Sequence, residues 1–243
     1  MSAKEGTKTT LFRTPSKTPK TRTHIGLRTQ ALCANSNIYS STKTIDNGKM
    51  NKKGTFVCLD LETTGISTKT AEIVELAAIC FSWEPGSDSP KLFGSFQSLV
   101  KPLGENHAAA VRVHGITDAM LQDEQTLDKV FVDFETWLKT VAVEDFVFCG
   151  HNIRRFDLPI LKRLAPVPIL ERPLFDTLEV ARVVYKTASS KKLSSLYQTV
   201  CKPIPGKIAA HRALDDVRMN VQLCVAEMKR IHKAGVLVER FLK

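Results

Sequence analysis

Four carboxylates and one histidine, spread over three short segments, are the residues of this chain best suited to chemistry. They are Asp60 and Glu62 in FVCLDLETTG, Asp157 in GHNIRRFD, and His211 with Asp216 in AHRALDD. Carboxylate oxygens suit Mg²⁺, and several of them together can hold two such ions. An imidazole can take a proton from water near neutral pH. The set therefore predicts hydrolysis of a phosphodiester bond with the help of two metal ions.

The first pair, Asp60 and Glu62, ends an apolar run of strand length. Residues two apart in a strand point to the same face, so both carboxylates project together. Two like charges held side by side repel each other, and a cation relieves that repulsion. The alternative is a strand that simply runs out into the polar turn TTG, because a lone D-x-E is common.

Asp157 begins a segment whose apolar residues recur three, four and seven positions later, the spacing of one helix face. A carboxylate on such an inward stripe is costly unless it is paired or bound to a metal. Two alternatives are a favourable interaction with the helix dipole and an ion pair with Arg154 or Arg155.

His211 and Asp216 lie at the start of the final predicted helix, with Asp216 in its first turn. The alternative is that His211 is only the residue at which the chain enters the helix. Asp215 and Asp216 would then be acids that the helix dipole favours. Adjacent helical residues point about 100° apart, so only one of these two acids can face a shared centre.

The elements that must position these residues indicate an α/β domain. Three runs of strand length come first, TFVCLDL, EIVELAAICFSW and LFGSFQSLVKP, and the turn EPGSDSP joins the last two as a hairpin. Apolar residues at helical spacing follow over 127–141, then the buried strand FVFCGHN and the helix FDLPILKRL. LFDTLEVARVVY and KKLSSLYQTVC add helical segments before the long final helix. We expect one mixed sheet flanked by helices.

Residues 1–53 differ from the rest in composition. They hold 11 Lys and Arg but two acids, a charge of +9, together with 15 Ser and Thr and no sustained apolar periodicity. We predict a disordered basic arm, because such a segment cannot bury enough surface to offset ordering. It suits either an organelle transit peptide or a nuclear, nucleic-acid-binding arm. Residues 54–243 carry 24 basic and 23 acidic residues, so the predicted domain is nearly neutral.

The remaining composition favours a soluble intracellular protein. No run approaches the ~18 apolar residues of a membrane-spanning helix, so no membrane partner is expected. The six cysteines are scattered without a C-x-x-C pair, which indicates a reducing compartment and no structural zinc site. We expect the compartment to be an organelle (mitochondrion or plastid) or the nucleus.

Together the three segments resemble the DEDDh 3′–5′ exonucleases, the DnaQ-like group of the ribonuclease-H-like superfamily. DLETTG is similar to the first motif of that family, HNIRRFD to the second, and HRALDD to the third, whose His-x-x-x-x-Asp spacing selects Asp216 over Asp215. HGITDAML is similar to a further family segment, and the resemblance covers residues 54–232 with every catalytic position present. Other segments resemble plant exonucleases: LSSL with AHRA the organelle-DNA-degrading type, and GHNIRRFD with HRALDDVRMN the NEN type.

The resemblance implies a ribonuclease-H-like sheet and a role for each of the five residues. Asp60 would bridge two Mg²⁺ or Mn²⁺ ions, Glu62 and Asp216 would complete one site, and Asp157 would hold the second ion mainly through water. His211 would be the general base that deprotonates the attacking water.

The resemblance also implies a group of residues around the terminal nucleotide. They are Thr63, Thr64, Gly65, Ile66, His114, Ile116 and Asn152. The TTG residues would approach the nucleotide, the two isoleucines would wedge its base, and His114 and Asn152 would support the site. Ordinary loop or core packing is the alternative for each.

The function expected is a metal-dependent 3′–5′ exonuclease that releases nucleoside 5′-monophosphates from a free, single-stranded 3′ end of DNA or RNA. Two alternatives are an inactive ribonuclease-H-like module that binds nucleic acid and a proofreading exonuclease that serves a polymerase. The presence of all five residues argues against the inactive module.

Overall fold

A computed structural model describes residues 54–142, 145–165, 168–201 and 211–242. The predicted arm over residues 1–53 lies outside these described residues. The helices and strands of the described part are, in chain order, β1 (Gly54–Thr63), β2 (Ile73–Trp83), β3 (Lys91–Leu99), α1 (Ala108–His114), α2 (Asp118–Leu121), α3 (Leu127–Val141), β4 (Val147–Gly150), α4 (Asp157–Leu164), β5 (Leu174–Asp176), α5 (Thr177–Val184), α6 (Leu193–Val200) and α7 (Ala213–Lys233). Two short 3₁₀ turns, Pro168–Glu171 and Val238–Phe241, complete them.

The strands form one mixed sheet in the order β3-β2-β1-β4-β5. β1, β2 and β3 pair antiparallel, whereas β4 pairs parallel with both β1 and β5. The predicted α/β fold is therefore confirmed. Because β1, β4 and β5 are parallel, their carboxyl ends meet at one edge of the sheet, where the chemistry-bearing segments follow them.

The sheet is covered on both faces, and alternate residues of β1 enter different cores. Val57 and Leu59 pack with α3 and α4, whereas Phe56 and Cys58 pack with α7. Period-two alternation therefore directs Asp60 and Glu62, the next residues on the second face, toward α7.

One prediction about the elements was incomplete. LFDTLEVARVVY was expected to add a helical segment, and it does so from Thr177, but its first three residues form the strand β5. Asp176 ends the strand and caps the helix, because its carboxylate accepts hydrogen bonds from the amides of Leu178 and Glu179. Three residues are too few to show a strand period in the sequence.

Close packing brings the loop after β4 against β1. A Cβ atom at Gly150 would lie 2.7 Å from Cβ of Ile153 and 3.0 Å from the carbonyl oxygen of Leu59. Glycine therefore lets this loop pass beside the end of β1. In the part of the chain that the structure describes, no helix is both long and apolar enough to cross a membrane.

Candidate active site

Three carboxylates converge where β1 ends and α7 begins. One oxygen each of Asp60, Glu62 and Asp216 can be chosen so that all three lie within 4.8 Å of one another. Asp60 and Glu62 come from the strand, and Asp216 comes from the first turn of α7. Each side chain is partly buried. The structure thus brings together three of the four carboxylates that the sequence singled out.

The charges of this cluster are unfavourable without a cation. Burial, followed by the nearby carboxylates of Asp157, Asp216 and Glu62, raises the pKa of Asp60 well above its ordinary value. Burial and Asp216 raise the pKa of Glu62 to about 8, and burial raises that of Asp216 to about 6. Several oxygen donors that repel one another are suited to a hard divalent cation, so these residues fit Mg²⁺ or Mn²⁺.

Asp157 lies beside the cluster but is not one of its three members. Its side chain is 3% exposed, and its Oδ1 atom accepts a hydrogen bond of 3.1 Å from the amide of Leu61. Burial raises the pKa of Asp157 to about 7. The described ion pairs join Arg154 to Glu179 rather than to Asp157, so the predicted alternative of an ion pair with Arg154 is not observed there.

His211 occupies an exposed turn directly before α7. Its backbone has φ of 68°, in the left-handed region that a residue with a side chain seldom adopts. Its amide donates a hydrogen bond of 3.3 Å to Oδ2 of Asp216. The imidazole is therefore presented to solvent next to a member of the carboxylate cluster.

The start of α7 is held to the sheet by Glu75 of β2, a wholly buried residue. Its carboxylate accepts hydrogen bonds from Arg212 (Nη2 2.7 Å, Nε 3.2 Å), from the Ala213 amide (3.0 Å) and from Gln97 (Nε2 2.8 Å). Burial alone would raise the pKa of Glu75, but the hydrogen bonds from Arg212 and the other donors outweigh it and lower the pKa.

Asp176 holds the segment between β4 and α4 in a similar way, although it was not singled out from the sequence. Besides capping α5, its carboxylate accepts the amides of Asn152 and Arg154, each at 3.1 Å. Asn152 has φ of 69° and begins the turn that leads to Asp157. The pattern of an aspartate before a helix could have suggested the cap, but not the contacts across the loop.

The TTG residues after β1 are engaged in packing of their own turn. The Thr63 hydroxyl donates to the Gly65 carbonyl (2.7 Å), and the Thr64 hydroxyl accepts the Glu72 amide (3.0 Å). Gly65 does not need a left-handed backbone, since the glycines with positive φ among the described residues are others. A Cβ at Gly65 would instead lie 3.3 Å from the His107 ring.

The two isoleucines that were expected to wedge a base are in opposite environments. Ile66 is 94% exposed beyond the TTG turn, so it is accessible to a ligand. Ile116 is wholly buried in a small core with Val74 and Leu121, an environment that agrees with the packing alternative. Its residue type did not reveal this, because an isoleucine in a loop suits either role.

His114 is a buried neighbour of the site rather than an exposed ligand residue. Its Nδ1 atom accepts the Ile116 amide at 3.0 Å, so the ring helps to fold the HGI turn. Burial lowers the pKa of the imidazole. In the neutral form Nδ1 can accept this bond, which leaves Nε2 as the protonated nitrogen.

A comparison of the sequence with models of known protein families agrees with this site. The exonuclease family model (RNase_T) matches residues 57–224. The chain therefore belongs to this exonuclease family, and its domain is a 3′–5′ exonuclease domain of the DEDDh type.

Similar proteins of known sequence are much longer. The PolC-type DNA polymerase III of Thermotoga maritima is 31% identical over 186 residues, which are 75% of this chain and 12% of that protein. The PolC-type DNA polymerase III of Bacillus subtilis is 31% identical over 187 residues, with the same two coverages. The chain thus spans about an eighth of these relatives.

Solved structures share the fold at lower identity. A complex of Exonuclease X with 5′-overhanging duplex DNA has a TM-score of 0.56 at 22% identity and covers 76% of this chain and 96% of that one. The nuclease domain of 3′hExo, a DEDDh family member bound to rAMP, has a TM-score of 0.58 at 18% identity, with coverages of 74% and 92%. E. coli Exonuclease I bound to single-stranded DNA has a TM-score of 0.59 at 20% identity, with coverages of 77% and 42%. They confirm the ribonuclease-H-like fold.

Proposed function

We propose that this protein removes nucleotides one at a time from the 3′ end of single-stranded DNA or RNA and releases nucleoside 5′-monophosphates. The observation that carries the proposal is the convergence of Asp60, Glu62 and Asp216 on one centre, with His211 at the rim. Family membership supports the reaction type, and the geometry supports the choice of residues.

The carboxylates would hold two Mg²⁺ or Mn²⁺ ions. Asp60 would bridge them, Glu62 and Asp216 would complete one position, and Asp157 would serve the other mainly through water. When bound, the ions would stabilise the attacking and leaving oxygens of the phosphodiester.

His211 would act as the general base. Its imidazole stands on an exposed turn, so it can take a proton from water and release it to solvent. The bond from its amide to Asp216 holds the backbone of His211 beside the carboxylates. Ile66, at 94% exposure, would contact the terminal base through its apolar surface, while Thr63 and Thr64 would shape the turn below it.

The substrate class is supported by what related structures hold. They contain duplex DNA with an overhang, a dA16 oligonucleotide and a histone mRNA stem-loop, so relatives of this fold bind DNA and RNA ends. Residues 54–243 carry a net charge of +1, which provides little long-range attraction for phosphates. We infer that affinity comes from the metal ions and from contacts at the terminal nucleotides.

A proofreading role is the second candidate, because the PolC-type relatives are DNA polymerases. It would require a polymerase partner. We further propose an organelle or nuclear location and a place among plant organelle or NEN-type exonucleases, on the sequence features described above.

The test uses the full chain with matched DNA and RNA oligonucleotides, single- and double-stranded, labelled at the 5′ end and blocked at either end. We expect Mg²⁺-dependent shortening from an open 3′ end, mononucleotide products and no cleavage when that end is blocked. Asp60→Asn serves as the inactive control. Shortening of 3′-blocked substrates, or equal activity of Asp60→Asn, would refute the proposal.

A further inference from the structure

Besides Asp157, a further carboxylate lies next to the cluster, on the neighbouring strand. Glu75 of β2 is paired in register with Glu62 of β1, and residues directly opposite in antiparallel strands present their side chains on the same face. Glu75 is wholly buried. Its position would allow it to join the cluster, so the contacts of its carboxylate decide what it does.

The Glu75 carboxylate is fully used by protein donors. Four N–H donors bond its two oxygens: two from the Arg212 guanidinium, one from Gln97 and the amide of Ala213. A two-pronged arginine–carboxylate pair is strong and fixes the relative orientation of both groups. Both oxygens of Glu75 are therefore bonded within the protein, and Glu75 holds the start of α7 instead of binding a ligand.

These contacts determine where α7 begins. Ala213 is the first residue of the helix, and the residue before it, Arg212, provides no side-chain cap. The first amides of a helix lack partners within it, and Glu75 supplies a negatively charged acceptor for the first of them from another strand. Asp216 lies three residues further on, within the same turn, so its position follows from this attachment.

The same contacts restrain His211. A left-handed backbone is unfavourable at a residue with a side chain and persists only where its surroundings impose it. The residue that follows, Arg212, is fixed to β2 through Glu75, and the His211 amide is bonded to Asp216. The general base and the helical ligand therefore depend on one attachment.

We propose that Glu75 and Arg212 are positioning residues that set His211 and Asp216 against the carboxylates of β1. This inference rests on the proposed function. A purely structural ion pair is the competing explanation, and a buried pair by itself is weak support for a contribution to stability.

The decisive comparison uses Glu75→Gln and Arg212→Lys, with Arg218→Gln as a matched control. Arg218 pairs with Asp215 at 2.6 Å on the exposed side of the same helix. For each protein we would measure the dissociation constant for Mn²⁺ by calorimetry without nucleic acid, kcat and KM on a labelled oligonucleotide, and the folded fraction by thermal unfolding. Arg212→Lys keeps the charge, so it tests the geometry even if Glu75→Gln unfolds.

We expect Glu75→Gln to weaken Mn²⁺ binding and to lower kcat by about 10–100-fold each, the usual effect of losing a partner that orients metal ligands. Arg212→Lys should show a smaller loss in the same direction, KM should stay within about twofold, and Arg218→Gln should match the wild type. If Arg212→Lys is folded and shows wild-type Mn²⁺ affinity and kcat, the proposal is refuted. The Mn²⁺ comparison decides this inference even if the wild type shows no nuclease activity, which would refute the proposed function alone.

Discussion

The Oδ1 atom of Asp157 accepts a hydrogen bond of 3.1 Å from the backbone amide of Leu61, midway between Asp60 and Glu62. The pairing of β1 with β4 stops at Cys58 and Cys149, so the Leu61 amide has no strand partner on that side. The carboxylate of Asp157 accepts the hydrogen bond that a neighbouring strand would otherwise accept from this amide. The first residue of α4 is thus attached to the segment of β1 that carries two members of the cluster.

Asp157→Asn should keep this hydrogen bond, because the amide oxygen can accept it, while it removes the negative charge. We expect a folded protein with nuclease activity at least about 100-fold lower. Asp157→Ala should also lose stability by about 1–3 kcal/mol, the cost of leaving a buried amide unpaired. Urea unfolding and initial rates separate the two effects. If the Asn variant is fully active, the charge of Asp157 is not needed.

Metal-free protein should become less stable as the pH rises from about 5 to 8.5. The pKa values of Asp216, Asp157 and Glu62 in the folded protein, about 6, 7 and 8, exceed their ordinary values of 3.8, 3.8 and 4.5. Groups with raised pKa values stabilise the fold fully below their unfolded values, and this contribution is lost as pH rises through the folded ones. One pKa unit corresponds to ~1.4 kcal/mol. Melting curves in EDTA measure the decrease.

Mg²⁺ should reverse that decrease, because it replaces the protons of the cluster. Glu227 provides an internal contrast: it is fully buried on α7, burial raises its pKa well above the ordinary value, and neither of its oxygens has a hydrogen-bond partner in the described structure. Its part of the pH dependence should remain in Mg²⁺ and disappear in Glu227→Gln. A pH dependence identical with and without Mg²⁺ would contradict metal binding by the cluster.

Asp216→Asn should abolish activity, whereas Asp215→Asn should lower it by less than about twofold. The two side chains leave α7 about 100° apart, and Asp215 pairs with Arg218 while Asp216 joins the cluster. Single-turnover rates at saturating Mg²⁺ make the comparison. The reverse result would mean that the third motif is aligned one residue out of place.

His211→Ala should lower turnover by about 10²–10⁴-fold, the range for a lost general base, and leave metal binding largely intact. His211 does not belong to the three-residue group that could hold a metal. Mn²⁺ titration of both proteins, with single-turnover rates at each concentration, provides the measurement. Collapse of Mn²⁺ affinity in the variant would make His211 a ligand instead.

Deletion of residues 1–50 should leave an active protein that binds long nucleic acid more weakly at low salt. The sequence of residues 1–53 carries a charge of +9 and shows no core periodicity. If this segment contacts phosphates, its removal should flatten the dependence of binding on salt concentration. Binding to a 40-nucleotide strand at several salt concentrations tests this, and an unchanged slope would favour a targeting role.

Periodicity was sufficient to predict the main helices and the first four strands. The apolar spacing over 127–141 predicts α3 with its observed bounds, and the final helix is found where its repeat indicated. β5 was missed because its strand residues, Leu174 to Asp176, run directly into a helix. Three residues buried on both sides show neither alternation nor a turn signal.

The acidic residues of the site could be predicted because three segments far apart in the chain each carry a carboxylate suited to binding a metal ion. The residues that hold them in place could not, since Glu75 and Asp176 act through partners 137 and 24 residues away. A single sequence contains no sign of which distant amide a carboxylate will accept. The burial of Ile116 could not be predicted either, because it depends on the packing of α2 against β2.

The left-handed backbone at His211 means that position 211 has two separable properties, an imidazole and an unusual φ. Alanine removes the imidazole and is poorly suited to the positive φ. An alanine variant therefore does not distinguish the loss of proton transfer from a shift of the turn. Asparagine adopts this conformation more readily than most residues. His211→Asn is therefore the better choice for trapping an uncleaved oligonucleotide in an undistorted site for crystallography.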